Sequence, residues 1–233
     1  MAARSSTAEV QETPTSHERR QRAVFEAVVG YLLILIVIWT PRPWQARIYL
    51  VAAAFIVFST GRSWPGLQAM GWRGRNLLRS APIIVAAALI AAFAVFAAWR
   101  LGTLHAPSTP ALFVGRFVGY IIFACIQQFL LQDYFLLRLL EAGLQPRAAV
   151  FTAAGIFALA HLPNPILTVL TFIWGVAATA WFLRYRSLYA LAVSHMILGI
   201  TLSVCIPGPT IRNMRVGLGY LMYGPPHAVH LSH

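Results

Sequence analysis

The chain has 233 residues, is 59% hydrophobic and only 10% charged, and carries a formal net charge of +12. Soluble domains hold about 25% charged residues, so an ordinary water-soluble fold is excluded. All 18 basic residues are arginines in short clusters between apolar runs, a pattern that suits a protein held against anionic lipid and argues against a nucleic-acid partner.

The N-terminal stretch "MAARSSTAEVQETPTSHERRQR", residues 1–22, is rich in Ser, Thr, Gln and Glu. It reads as a disordered cytoplasmic tail rather than a signal peptide, because its apolar run begins late. Seven apolar runs follow, near 23–40, 46–60, 81–99, 112–137, 148–162, 165–183 and 187–206. Most approach the ~20 residues that span hydrocarbon; the second and fifth are short. The expected fold is therefore all-α, a polytopic transmembrane helical bundle of about seven spans over 23–206, followed by an outer C-terminal tail at 207–233. The protein is expected in the cell membrane as a multi-pass chain.

Arginine placement gives the expected orientation. With the N-terminus inside, twelve arginines fall in inner segments (Arg4, Arg19, Arg20, Arg22, Arg62, Arg73, Arg75, Arg79, Arg138, Arg147, Arg184 and Arg186) and five in outer ones (Arg42, Arg47, Arg100, Arg212 and Arg215). Cationic residues are enriched on the cytoplasmic side, so the N-terminus is read as cytoplasmic and the C-terminus as external. Between the second and third runs, "GRSWPGLQAMGWRGRNLLRS" is basic and aromatic. It is expected along the inner interface, with Trp64 and Trp72 at headgroup depth.

The fourth run contains "ACIQQFLLQDYFLLRLLEAG". Gln128 and Gln132 are four apart and share a helical face. Asp133 lies about 140° around a regular helix from Gln128, off that face. Arg138 and Glu141, three apart, read as an interfacial ion pair. The fifth run ends in "FALAHLPNP" and the seventh contains "SHMILG". By helical rise, Gln127, His161 and His195 stand roughly 16, 20 and 12 Å above the inner end of their spans. A polar group at that depth requires a partner or water, so the glutamines and histidines are expected to line one wet cavity. The alternatives are that the glutamines are interhelical glue and each histidine a core residue bonded to a carbonyl freed near Pro165. Asn164 is expected to cap the turn or the next helix.

Acidic residues are scarce. After Ala27 only Asp133 and Glu141 remain. A catalytic zinc usually has three protein ligands, and His161 and His195 supply two, with Asp133 facing elsewhere. No metal and no cofactor is expected. Cys125 and Cys205 lie in apolar runs and imply no disulfide framework. His227, His230 and His233 in the tail read as solvated.

"FALAHL" resembles the FxxxH motif of the CAAX-protease and bacteriocin-processing family of intramembrane endopeptidases, and "SHMILG" resembles its last motif, a histidine with a small or amide residue four later. Where the family has EExxxR, this chain has Gln127, Gln128 and Gln132, or QQxxxQ. The resemblance covers about residues 112–203. It implies that Gln127, Gln128, Gln132, His161 and His195 form the catalytic site of an endopeptidase cutting a protein or peptide near the bilayer, with the histidines assisting water and stabilising an oxyanion. Glutamine cannot accept a proton at working pH, and loss of a general base forfeits about 10²–10⁴-fold in rate. Gly199 stands where the family often has asparagine. A second register aligns Gln132, Asp133 and Arg138 with the motif but leaves one residue too many before the arginine. Two functions remain: a protease of reduced activity, and a catalytically inactive relative binding a lipid or a transmembrane partner. A small transporter would need paired ionisable residues along a pathway, which the chain lacks.

Overall fold

The computed structural model describes residues 15–72 and 74–224, with Arg75 described by its backbone alone. Arg73, His227, His230 and His233 thus lie outside the described residues. The described chain is helical: α1 (Ser16–Trp39), α2 (Arg42–Arg62), α3 (Leu77–Arg100), α4 (Pro110–Gln128), a π-helical segment (Phe129–Leu136), α5 (Leu137–Glu141), α6 (Pro146–Leu159), α7 (Pro165–Tyr185), α8 (Leu188–Cys205), and the short α9 (Gly208–Ile211) and α10 (Gly217–Leu221). α4, the π segment and α5 form one rod of 32 residues, Pro110–Glu141. Six helices are long and apolar enough to cross a membrane, and α6 is a shorter apolar one. Large apolar side chains cover their outward faces, with Leu78, Phe93 and Phe58 exposed, as lipid contact requires. The chain is a multi-pass membrane protein.

Two boundaries differ from expectation. α1 starts at Ser16, inside the stretch expected to be disordered, because Thr15 and Glu18 form a capping box. The Thr15 hydroxyl accepts from the Glu18 N–H at 3.3 Å and the Glu18 carboxylate accepts from the Thr15 N–H at 2.6 Å. This reciprocal pairing satisfies two of the donors a helix start leaves open. α2 runs to 21 residues, well beyond the expected short run. It starts at Arg42 after Pro41, with a proline in the first turn, where a missing N–H costs nothing.

The fifth run remains the shortest. At 14 residues, α6 is about 21 Å long, short of the ~30 Å hydrocarbon core. Its end and the turn to α7 are covered by the C-terminal segment. The Leu162 carbonyl accepts from the Gly217 N–H at 2.8 Å, and Asn164 Nδ2 donates to the Ile211 and Arg215 carbonyls at 2.9 and 3.2 Å. Irregular backbone at depth survives where protein pairs its polar groups. Gly217 sits at φ 53° against Ile38, so the same segment reaches the end of α1. The C-terminal segment is therefore built into the bundle as far as Leu221. Arg212 bonds the Tyr220 and Tyr223 carbonyls of its own segment.

Helix directions follow from end-to-end contacts. Ala98 of α3, Phe117 of α4 and Cys205 of α8 cluster at one face of the bundle. At the opposite face Glu26 of α1 meets Arg138 of α5, and the Leu188 N–H of α8 donates to the Gly71 carbonyl at 3.0 Å. α4 thus runs antiparallel to α1, α3 and α8.

Candidate functional site

Arg138 does not pair with Glu141. It is buried, and its Nε donates to Glu26 Oε2 at 3.0 Å. Its guanidinium also stands 3.9 Å from the Tyr134 ring centroid. Glu141 lies 3.6 Å from Arg22 instead. The sequence reading paired neighbours on one helix, whereas a buried guanidinium needs the closest carboxylate it can reach in the low-dielectric interior.

The π segment alters how the glutamines and the arginine relate. The Leu137 N–H donates to the Gln132 carbonyl, five residues back. A π turn takes up one residue more than an α turn and recurs at functional sites. It thus absorbs the extra residue of the second register, and the assumption of a regular helix past Gln128 does not hold. Nevertheless, the members of that register turn to other partners. Asp133 Oδ2 accepts from the indole N–H of Trp72 at 2.8 Å, and Arg186 lies within its electrostatic reach. Trp72 is thus partly exposed while its indole N–H binds inward. The rest of its segment is anchored by an Arg186 bond to the Ala69 carbonyl at 3.1 Å.

The first register converges. Gln132 Nε2 donates to Gln128 Oε1 at 3.3 Å, and Gln128 Nε2 lies 2.8 Å from His195 Nδ1. Gln128 spends its oxygen on Gln132, so its amide donates and His195 Nδ1 accepts. A neutral imidazole that accepts at one nitrogen carries its proton on the other, so His195 presents Nε2–H as a donor.

His161 has the opposite tautomer. The end of α6 tightens, so the His161 N–H bonds the Ala158 carbonyl at 2.9 Å and leaves the Phe157 carbonyl to the side chain. His161 Nδ1 meets that carbonyl at 2.7 Å. A carbonyl only accepts, so Nδ1 holds the proton and Nε2 is the bare, basic nitrogen. The carbonyl is freed by the helix end, four residues earlier than one freed by Pro165 would lie. Both imidazoles pack edge-on against Phe157, with ring centroids 4.9 and 6.0 Å away, and each lies within electrostatic range of the other.

The cluster is closed. Gln128 and Gln132 have no exposed surface, and His195 and His161 retain 7% and 9%. It is packed into the interior of the bundle. Gln127 does not join it: half-buried, one residue and ~100° around from Gln128, it makes no hydrogen bond to the cluster. Asn164 caps α7, accepting from the Leu167 N–H at 3.2 Å. Among the described residues no group of three His, Cys, Asp or Glu side chains is arranged to hold a metal.

Sequence reasoning missed the aromatic frame. Tyr120 and Trp174 stand 6.5 and 6.0 Å from the His195 ring. A Cβ on Gly199 would strike the Tyr120 hydroxyl, so the glycine makes room for that ring one turn from His195. Neither aromatic carried a signal in the sequence, because each lies in an apolar run that is full of such residues.

Residues 110–201 match the family model for the type II CAAX prenyl endopeptidase, Rce1-like. No curated protein and no solved structure matches. The matched region begins at the first turn of α4 and ends within α8, and so holds both glutamines, both histidines and the frame around them. Over this region the chain is similar to the CAAX-protease family of membrane endopeptidases.

Proposed function

We propose that the protein is a membrane-embedded endopeptidase of CAAX-protease type, cutting a protein or peptide substrate near the bilayer at a reduced rate. The observation that carries this reading is the complementary pair of tautomers. His161 offers a bare Nε2 and His195 an Nε2–H, which are a base and a donor in one buried cluster. In the proposed reaction His161 Nε2 takes a proton from water, and the resulting hydroxide attacks the peptide carbonyl carbon. The developing oxyanion accepts from His195 Nε2–H, which costs no reorganisation if the donor is already in place. The C–N bond then breaks, and the departing amine takes the proton from His161, so that one water is consumed and the histidine is restored. Gln128 does not act as a base here; it holds the tautomer and orientation of His195. An imidazole stands in for the family's carboxylate as base, and with the cluster closed off in the bundle the rate is expected to be low.

A second reading rests on the closure of the cluster and on its amides. Two bonded glutamines remove the family's charge pair as a unit, and a catalytically inactive member would use the same pocket to bind a lipid or a transmembrane partner.

The test is cleavage of a panel of membrane-anchored peptides by the purified protein in liposomes. Slow cleavage that is lost in both His161→Ala and His195→Ala, with thermal stability retained, supports the endopeptidase. No cleavage in any variant, together with a co-purifying lipid or partner that His161→Ala releases, supports the binding reading.

A further inference from the structure

Among the described residues, two buried polar atoms that adjoin the Gln128–His195 pair have no hydrogen-bond partner: the indole Nε1–H of Trp174 and the Oε1 of Gln132. One is a donor only and the other an acceptor only. Trp174 reaches the pair through its ring contact with His195, 6.0 Å between centroids. Gln132 reaches it through its bond to Gln128. Buried groups of this kind are normally satisfied, and leaving one open costs as much as a lost hydrogen bond. Here a lone donor and a lone acceptor, from two different helical segments, adjoin one hydrogen-bonded pair.

We infer that Trp174 and Gln132 recognise a secondary amide, the carbonyl oxygen of a peptide group accepting from Trp174 Nε1–H and its N–H donating to Gln132 Oε1. This rests on the endopeptidase reading of the site and adds to it the substrate's functional group. A peptide unit carries one strong acceptor and one strong donor, which matches the two open atoms. An ester carries the acceptor alone and leaves Gln132 Oε1 buried and unpaired. A site built to hydrogen-bond a substrate N–H rejects the analogue that lacks it, because the protein's own polar group is then stranded. The proposed site therefore discriminates peptides from the ester-linked chains of the surrounding lipid, the most abundant carbonyl compounds within its reach.

The test is binding, so that its outcome does not depend on turnover. The protein is labelled at its seven tryptophans with nitrogen-15 and studied in lipid nanodiscs, the Trp174 indole resonance being the one that Trp174→Phe removes. The probes are acetyl-dileucine methylamide, its N-methylated counterpart, and the counterpart with an ester oxygen for the central N–H. The expected result is a downfield shift of the Trp174 indole proton on adding the amide. Affinity is expected to fall at least about tenfold for the ester and the N-methylated probe. In Gln132→Met that discrimination should vanish while the indole shift persists. An indole resonance that ignores the amide, or equal affinity for all three probes, overturns the inference; the two atoms would then be serving a structural water. Amide-selective binding without cleavage in liposomes retires the endopeptidase reading and leaves this one standing. Cleavage with unselective binding, undiminished in Trp174→Phe, does the reverse.

Discussion

At the scale of single residues, the exchange of glutamate for glutamine does more than remove a base. The Gln128 amide donates to His195 Nδ1 and so keeps that ring's proton on Nε2, whereas a carboxylate at position 128 would supply the general base of the family's motif. The paired change Gln128→Glu with Gln132→Arg is thus expected to raise cleavage of a membrane-anchored peptide by about 10²–10⁴-fold. The gain should disappear when His161→Ala is added. The arginine must accompany the glutamate, since a lone buried charge is left uncompensated. Cleavage by the double variant no faster than that of the unaltered protein would show that Gln128 does not occupy the catalytic position. Gly199 makes a second prediction at this scale. Gly199→Asn would drive its side chain into Tyr120, and overpacking of this kind costs typically 1–3 kcal/mol. Thermal unfolding in detergent should show that loss, and adding Tyr120→Ala should recover most of it.

At the scale of elements, α1 is tied to the rod of α4, the π segment and α5 by a buried ion pair. Glu26 and Arg138 are 4% and 3% exposed, and the Tyr134 hydroxyl also donates to the Glu26 carbonyl at 2.7 Å. Removing one partner of a buried pair costs roughly 3–5 kcal/mol, whereas replacing both with apolar residues is often neutral. Glu26→Gln is expected to lower the unfolding temperature sharply, and Glu26→Leu with Arg138→Met to restore most of it. Equal stability of the single variant and the parent would mean that water reaches the pair. The π segment belongs to this scale as well. Arg138, beyond it, bonds Glu26 of α1, while Gln128, before it, bonds His195 of α8.

At the scale of the molecule, the end of α1 and the turn after α6 lie at one face under the C-terminal segment, and Glu26 lies toward the other. The two ends of the described chain therefore stand on opposite faces, as an odd number of crossings demands. Arginine bias sets the sign. Reporter fusions after Arg79 and Arg186 are expected to read cytoplasmic, and one at the C-terminus external. A cytoplasmic C-terminus with external readings after Arg79 and Arg186 would reverse the orientation, and cytoplasmic readings at all three would contradict the placement of the two ends on opposite faces.

Composition and the ~20-residue apolar runs determined that the protein is a helical membrane bundle, because hydrocarbon forces each segment to satisfy its own backbone. The helical repeat sufficed to pair Gln128 with Gln132, and the spacing of two histidine motifs brought His161 and His195 to the same depth as the glutamines. Only the tertiary structure decided the chemistry those residues present. The tautomers of the two imidazoles depend on one amide from another helix and on one carbonyl freed by a helix end. Arg138 found Glu26 across 112 residues of chain, Tyr120 found the gap at Gly199, and Trp174 found His195. Such contacts depend on how helices rotate and pack against one another, and the apolar periodicity of a membrane helix is too uniform to announce which face turns inward.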